Sequence, residues 1–435
     1  MKSKIAVIGA NARALAESAK RAGYETYLVD YFSDLDTLKS ADHVFSMQKN
    51  PLKPNFRKEY SREKLVDFAI EKLRGRVENV LLASSIGSDY RMIEKLKNYF
   101  KILGNNSVQV RKARDWKVLM KIFDRLKIKY PETLIFDGFD SINYTFAFPF
   151  IIKPSTEKEF KTELINNESE LNNFLYEIKE KFKINNKKLH GKILIQEFIS
   201  GTPVSSSILS NGKDSVTVSI NRQLIGIDKL NAPGKFTYCG HVTPINLNSN
   251  LKSKISEISN KIISELGLVG SVGIDFVISG NEIYFMEINP RFQDTLESVE
   301  RLASLTLMRI KDSRYNKISL KSSYRDISSQ ARKYRNKNLV EKHLESLDGK
   351  LDQRNNQNHP EKYFSKGILF AEKIIKIGNL SNISDISDIP REGAIIQEKE
   401  PICSISASGK EESEAVKNLF NKIKLIKKRI SLNLN

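Results

Sequence analysis

Only two cysteines, Cys239 and Cys403, occur in 435 residues. They allow one disulfide at most, which excludes a scaffold built on disulfides and points to a reducing compartment, the cytoplasm. The five histidines are scattered and match no zinc spacing. No stretch approaches the ~18 consecutive apolar residues of a bilayer span, so no membrane partner is expected. The opening MKSKIAVIGA has two lysines and an apolar run, but that run is too short for a signal peptide and leads into a strand, turn and helix. There is no internal repeat. No serine–histidine–aspartate or cysteine–histidine constellation offers a nucleophile. The net charge is +19, yet the basic residues are spread through a Lys-, Asn- and Ile-rich chain. No nucleic-acid motif stands behind that charge, so it reads as composition and no nucleic-acid partner is expected.

What is present fits a globular chain, with 40% hydrophobic and 28% charged residues. At ~100–200 residues per domain, the length gives two to four domains. KIAVIG (4–9) reads as a buried strand. NARALAESAKRAG follows as a helix with Ala14, Leu15, Ala19 and Ala22 at helical spacing and Gly23 as its stop. YETYLVD is the next strand and ends at Asp30. A helix over 64–74, the strand VENVLLASS and the helix DYRMIEKLKNYF complete an alternation that builds a parallel sheet covered by helices, up to about residue 110.

The middle of the chain changes pattern. A helix over 113–127 is expected, then the strands PETLIF and 147–153, a helix around 168–182 and a strand over 193–199. An alternating strand over 215–227, a helix over 252–268 and two strands around a Gly280–Asn281 turn follow, so this part reads as α+β with antiparallel sheets. Residues 311–362 are Lys-, Arg-, Asn- and Ser-rich and read as a mobile polar connection. Residues 363–435 are strand-rich and end in a helix over 411–428.

Three places carry chemistry. The first is EIYFMEINPRF (282–292), an apolar strand that ends by placing Glu287, Asn289 and Arg291 on alternate positions, with Pro290 closing it. Asp275 lies twelve residues before Glu287. With a two-residue turn, Asp275 opposes Met286 and Glu287 faces away. With a three-residue loop through Glu282, Asp275 opposes Glu287 and shares its face with Asn289. Two adjacent carboxylates repel and call for a cation, and all-oxygen donors suit Mg²⁺. The alternative is a solvated strand face with two unrelated acids. The second place is Lys153, at the end of the apolar FPFIIKP, where a buried cation is costly unless it reaches water or an anion. The third is ILIQEFIS, where Gln196 and Glu197 interrupt a strand just before Gly201 and would open backbone groups to a flat polar ring. The N-terminal GANARALA is a weak dinucleotide signature, with one glycine where three are needed, although Asp30 lies near the place of a ribose-binding acid.

Taken together, these motifs resemble the ATP-grasp superfamily, over roughly residues 1–310. The most specific part is 270–292, with its carboxylate spacing followed by Asn-Pro-Arg. DYFSDLD, NRQLIG and FTYCGHVTP further resemble a group of archaeal and bacterial ATP-dependent carboligases. DIPREGAIIQEKEPICSISASG resembles the small C-terminal domain of biotin-carboxylase-like and purine-pathway members. The resemblance implies a Rossmann-like pre-ATP-grasp domain at 1–110 and a two-lobed ATP-grasp domain, with its small lobe at 111–200 and its large lobe at 201–310. After the polar connection at 311–362, it implies a small, mostly β C-terminal domain at 363–435.

Its implied cofactors are ATP and Mg²⁺, with Mn²⁺ as a substitute. Lys117 and Lys153 would hold ATP phosphates, and Gln196, Glu197, Phe198 and Ile199 would bracket the adenine. Asp275, Glu287 and Asn289 would hold metal, and Arg291 would face the γ-phosphate or an acylphosphate. Asn221 and Arg222 would line the phosphate or substrate side. The substrate would sit near Gly9–Arg13, Ser84–Ser88 and Tyr238–His241, with Arg13 as an anion partner or a plain surface arginine. The implied activity is ligation of a small-molecule carboxylate to an amine or thiol through an acylphosphate, and relatives of this kind often form homodimers. One departure is that STEKEFKTELI, where members carry a glycine-rich loop, has no glycine, leaving Ser155, Thr156 or Lys158 to act by side chain. A nucleotide-binding regulatory or assembly protein with little turnover is the alternative reading.

Overall fold

The computed structural model describes residues 2–137, 147–155, 160–184, 192–303, 338–351 and 362–432. The described residues form two compact units. The larger contains Met1–Asp115, Val204–Ile274 and Ile288–Asn435; the smaller contains Trp116–Pro203 and Asp275–Glu287. Among the described residues, no helix is long and apolar enough to cross a membrane.

The larger unit begins with a parallel sheet in the order His43–Ser46, Glu25–Asp30, Lys4–Ile8, Asn79–Leu82, Lys101–Ile102. The central strand is apolar from Ile5 to Ile8 because both its faces are covered. Ala6 and Ile8 pack with Val66, Ala69 and Leu73 on one side. Ile5 and Val7 pack with Ala12, Leu15 and Ala16 on the other. Gly9 follows this strand because a side-chain carbon there would lie 2.8 Å from Cβ of Ala83. The expected alternation is therefore present. The expected helix over 113–127 is instead two helices, Ser107–Arg114 and Trp116–Leu126, interrupted at Asp115, whose ψ of 102° leaves the helical region.

A second sheet runs in the order Glu282–Asn289, Val269–Ser279, Thr202–Asn211, Ser215–Ile225, Tyr238–Thr243, Tyr363–Phe370, Pro401–Gly409, Ile386–Ser387. Gly240 pairs with Gly367 and Thr243 with Phe364, so strands from the end of the chain extend the sheet of its middle. The closing helix, Glu412–Leu432, buries Ala415, Leu419, Ile423, Ile426 and Ile430 against Leu369, Ile405 and Ala407. These five recur at three- and four-residue spacing, as one helix face requires. Each fully buried Leu or Ile is worth roughly 1.5–3 kcal/mol.

The polar stretch read as a connection contains a helix, Leu339–Leu347. Asn338 caps it by accepting from the Glu341 amide, and Glu341 reciprocates by accepting from the Asn338 amide. Leu339 and Val340 join the core of Ile5, Leu15 and Ala16. Residues 304–337 and 352–361 of the expected connection lie outside the described residues.

The smaller unit holds an antiparallel sheet in the order Thr133–Phe136, Ile193–Glu197, Phe150–Pro154, Glu163–Ile165. The helix Glu168–Ile184 supplies Leu171 and Ile178 to a core with Phe150, Ile152, Phe160 and Ile195. The hairpin tip 275–287 is held to the helix Trp116–Leu126 and the segment after it. Phe285 packs on Phe123 with ring centroids 4.4 Å apart. The Phe285 amide donates to Lys129 O at 2.9 Å, and Lys129 pairs with Glu282 at 3.0 Å.

Candidate functional site

The hairpin strands stop at Ser279 and restart at Glu282, so the turn has two residues, Gly280 and Asn281. Gly280 has φ +60°, which a side chain would resist. Along the first strand, Asp275, Val277 and Ser279 are half-buried and alternate with buried Phe276 and Ile278. Along the return strand Ile283 and Phe285 are buried, and then the alternation slips. Met286 and Glu287 are both half-buried, and Ile288 is buried again. Glu287 and Asn289 are thus half-buried, as Asp275 is. The turn observed is the two-residue one of the two expected. Among the described residues, no three His, Cys, Asp or Glu side chains come together as a metal site. Asp275 and Glu287 are nonetheless two half-buried carboxylates in the smaller unit, oxygen donors of the kind Mg²⁺ takes.

Lys153 is half-buried near the end of its strand, and its ammonium lies 5.2 Å from the centre of the Trp116 ring. The ring face offsets part of the cost of a cation beside an apolar strand. Trp116 itself meets Phe285 edge-on at 5.9 Å, so one indole joins the lysine strand to the hairpin within the smaller unit. Sequence reasoning quoted Trp116 only as part of a motif; a lone tryptophan one residue before an expected phosphate lysine was the available signal. Lys117 is exposed in the first turn of the helix Trp116–Leu126.

The expected adenine segment divides. Gln196 is 3% exposed and donates from Nε2 to Thr133 Oγ1 at 2.8 Å. Its side chain is spent inside the sheet, which corrects its assignment as a nucleotide contact: its place on the strand turns it toward Thr133, its register partner. Glu197 is exposed, and Phe198 and Ile199 lie beyond the strand end, half-buried. The Glu197 amide donates to Glu132 O at 3.0 Å. Thr156 and Lys158, in the glycine-free stretch, lie outside the described residues. Ser155 is described: its hydroxyl accepts from the Lys192 amide at 2.7 Å, a role between strands rather than in a lid.

In the larger unit, the Arg291 guanidinium donates to Ser88 Oγ at 2.8 Å, to Phe292 O at 3.0 Å and to Asn289 Oδ1 at 3.2 Å. These bonds fix its plane beside Asn289. Two other expected site residues are engaged elsewhere. Asn221 is fully buried, donating to Ser207 Oγ at 3.1 Å and accepting from Thr243 Oγ1 at 2.9 Å. It organises strands instead of lining a ligand, because its side falls toward Ser205 and Ser207 of the neighbouring strand. Arg222 pairs with Glu412, whose second oxygen accepts from the Asn246 amide at 2.8 Å. Asp30 is likewise no ribose contact; it is 1% exposed and accepts from the amides of Ala12 at 2.8 Å and Phe32 at 2.7 Å.

Arg13 is neither a surface residue nor open to a ligand. It is 3% exposed and donates to Asp388 at 3.0 Å and to both oxygens of Glu297 at 3.1 Å. Lys366, also 3% exposed, donates to Asp294 at 2.7 Å. Burial alone would push the Lys366 ammonium down, but Asp294 and Glu297 outweigh it and hold it above its ordinary value. Burial would raise Asp388, but Arg13 and Lys366 hold it far below the usual carboxylate range. His241 stands between Tyr238 Oη at 2.9 Å and Ser298 Oγ at 2.8 Å, and burial lowers its pKa to about 4. Lys366 in the apolar YFSKGILF carried the same signal as Lys153, and the acids that neutralise it were missed.

An ATP-grasp domain family matches residues 116–295. An uncharacterised protein of Methanocaldococcus jannaschii is 26% identical over 430 residues, 97% of this chain and 91% of that protein. A tyramine–L-glutamate ligase of the same organism is 35% identical over 129 residues, 29% of this chain; the match spans only 38% of that ligase. Among solved structures, the biotin carboxylase domain of the Hydrogenobacter thermophilus 2-oxoglutarate carboxylase superposes with a TM-score of 0.65 at 14% identity, covering 93% of this chain and 86% of that one. It was solved as a dimer with MgADP, ADP and bicarbonate.

Proposed function

We propose, from the premise that the chain is an ATP-grasp ligase, that it joins a small-molecule carboxylate to an amine through an acylphosphate, with release of ADP and phosphate. One observation supports the reading: Lys117, Lys153, the strand end at Glu197 and the hairpin carboxylates Asp275 and Glu287 all belong to the smaller unit, in which Trp116 meets both Lys153 and Phe285. A carboxylate approaching a triphosphate meets strong repulsion, and these groups are of the kind that removes it. Lys153, aligned over Trp116, meets phosphate oxygens. Lys117 adds a second, exposed cation at the helix start. The backbone from Glu197 to Ile199 brackets the adenine, with the Glu197 carboxylate accepting from its amino group. Asp275, Glu287 and Asn289 hold Mg²⁺, which when bound neutralises phosphate charge. Arg291, its plane set by Ser88 and Asn289, faces the transferred phosphoryl group. The acylphosphate is already reactive toward an amine, so the reading needs no dedicated nucleophile.

A tyramine–glutamate ligase among the relatives supports an amine as acceptor, since its name pairs an amine with an amino acid. The dimeric biotin carboxylase domain supports a homodimer as the assembly to test.

The test is ADP and phosphate release with Mg-ATP across a panel of carboxylates and amines, with Glu287→Ala beside the native protein. Release that requires one acid and one amine, reduced at least ~100-fold in Glu287→Ala, supports the ligase. Mg²⁺-dependent ATP binding with no turnover across a broad panel moves the reading to a nucleotide-binding regulatory protein.

A further inference from the structure

Within the larger unit, a cavity of about 220 Å³ lies between the loops after Glu25–Asp30 and the segment 388–404. By the volume a water occupies, this holds an organic molecule of on the order of ten non-hydrogen atoms. One wall is flat and apolar: Phe32 and Phe56 stack with centroids 5.3 Å apart and planes at 19°.

The polar lining runs against the charge of the chain. The protein is +19, yet the cavity is lined by Asp34, Asp294, Asp388 and Glu400 against Arg391 as the cation. Asp294 and Asp388 are already matched by Lys366 and Arg13. Asp34 differs, for no described residue donates a hydrogen bond to its carboxylate. Burial and the charges of Asp388 and Asp36 push the Asp34 carboxyl well above its usual range, with Arg13 and Arg391 pulling only part of the way back. A carboxylate desolvated beside like charges is relieved by a cation.

An independent observation comes from Gln48, which lines the same cavity and is 8% exposed. Its Nε2 completes no hydrogen bond, although it lies near enough to the Tyr31 hydroxyl to lower that group's pKa. A buried donor left open costs ~1–3 kcal/mol, and a ligand carrying an acceptor would recover it.

We propose that this cavity binds a small primary amine with a flat apolar ring and one hydrogen-bond acceptor, its ammonium on Asp34 and its acceptor facing Gln48. As the amine substrate of the reaction, this ligand rests on the ligase reading above; as a binding site, it stands without it.

Calorimetric titration without ATP separates the two. The probes are 4-hydroxybenzylamine, 4-hydroxybenzyl alcohol (no charge), 4-methylbenzylamine (no acceptor) and putrescine (no ring). The hydroxylated amine should bind best, and the alcohol should be weaker by about ten- to hundred-fold, as the loss of a charged hydrogen bond implies. Asp34→Asn should abolish the preference for amine over alcohol. Gln48→Leu should abolish the preference for hydroxyl over methyl while keeping that for charge. Both variants are checked for native thermal unfolding, and the preferences are ratios within each variant, so a general loss of affinity does not imitate them. Equal binding of amine and alcohol, an unchanged preference in Asp34→Asn, or no binding at millimolar concentration overturns the site. If the preferences hold but no carboxylate gives ADP release with any amine, the ligase reading falls and the amine site stands. If turnover occurs and Asp34→Asn leaves the KM for the amine unchanged, the ligase stands and the assignment of this cavity as its amine-substrate site falls.

Discussion

Lys153 and Lys366 both interrupt apolar strands, FIIKP and YFSKGILF, and the fold treats them in opposite ways. Lys153 sits near a strand end, half-buried, over the Trp116 ring. Lys366 sits mid-strand, 3% exposed, bonded to Asp294 at 2.7 Å with Glu297 at 3.5 Å. An aromatic face offers a cation modest support, so an anion of higher charge can compete for it. A buried carboxylate pair neutralises the cation for good and makes it part of the frame. One signal in the sequence thus marks two jobs, and the difference lies in partners that are distant along the chain.

The sharpest break of that contrast is Lys366→Met against Lys153→Met. Removing Lys366 leaves Asp294, Glu297 and Asp388 buried with less compensation, and unfolding in denaturant should show a loss of about 3–5 kcal/mol. Lys153→Met should unfold within about 1 kcal/mol of the native protein, because a half-buried group is removed. Its cost should appear in ATP turnover, down about 100-fold or more. Equal destabilisation by the two variants would erase the distinction.

Acid extends the comparison within the larger unit. His343 accepts from the Ser271 amide at Nδ1, at 2.7 Å, and its Nε2 faces Leu103 O at 3.1 Å. It is therefore neutral, and burial lowers its pKa from 6.5 to about 4. The unfolded chain takes the proton first, so the stability that His343 contributes is whole above pH 6.5 and is lost as pH falls toward 4. That loss is about 3 kcal/mol. Denaturant titrations at neutral pH and near pH 4 should show the native protein losing that much more than His343→Gln, a difference that cancels the opposing carboxyls. A constant gap between the two proteins would mean that His343 is protonated in the fold.

The smallest effect tests the parked lysine directly. Trp116→Leu keeps an apolar side chain beside Phe285 and removes the ring face under Lys153. ATP affinity should tighten by a factor of about two to five, the ~0.5–1 kcal/mol of an exposed cation–π contact that phosphate no longer has to displace. An unchanged affinity would mean that the indole only fills space.

The parallel sheet was legible because its strands are apolar on both faces, and Ile5 to Ile8 divide between two cores as such a strand must. The hairpin was legible in composition and in its turn, since Gly280 and Asn281 form the expected two-residue connection. Gln196 was misread because a polar residue in a strand can serve the sheet as readily as a ligand, and Thr133 opposite it decides which. The helix Leu339–Leu347 was hidden by polar surroundings, although the Asn338 and Glu341 capping pair was there to be seen. The buried charge network was illegible for a plainer reason: the Arg13–Asp388 bond spans 375 residues.

That span has a consequence for how the protein comes into being. Arg13 leaves the ribosome early and Asp388 follows 375 residues later, which at about 5–20 residues per second is roughly 20–75 seconds. Through that interval the guanidinium has its early partners, Glu17 at 3.1 Å and Asp36 at 3.2 Å, but lacks its later ones, Glu297 and Asp388. Chaperone binding and proteolysis of nascent chains should therefore fall once Asp388 has been added, and chains cut short before it should be cleared faster than chains cut just after it.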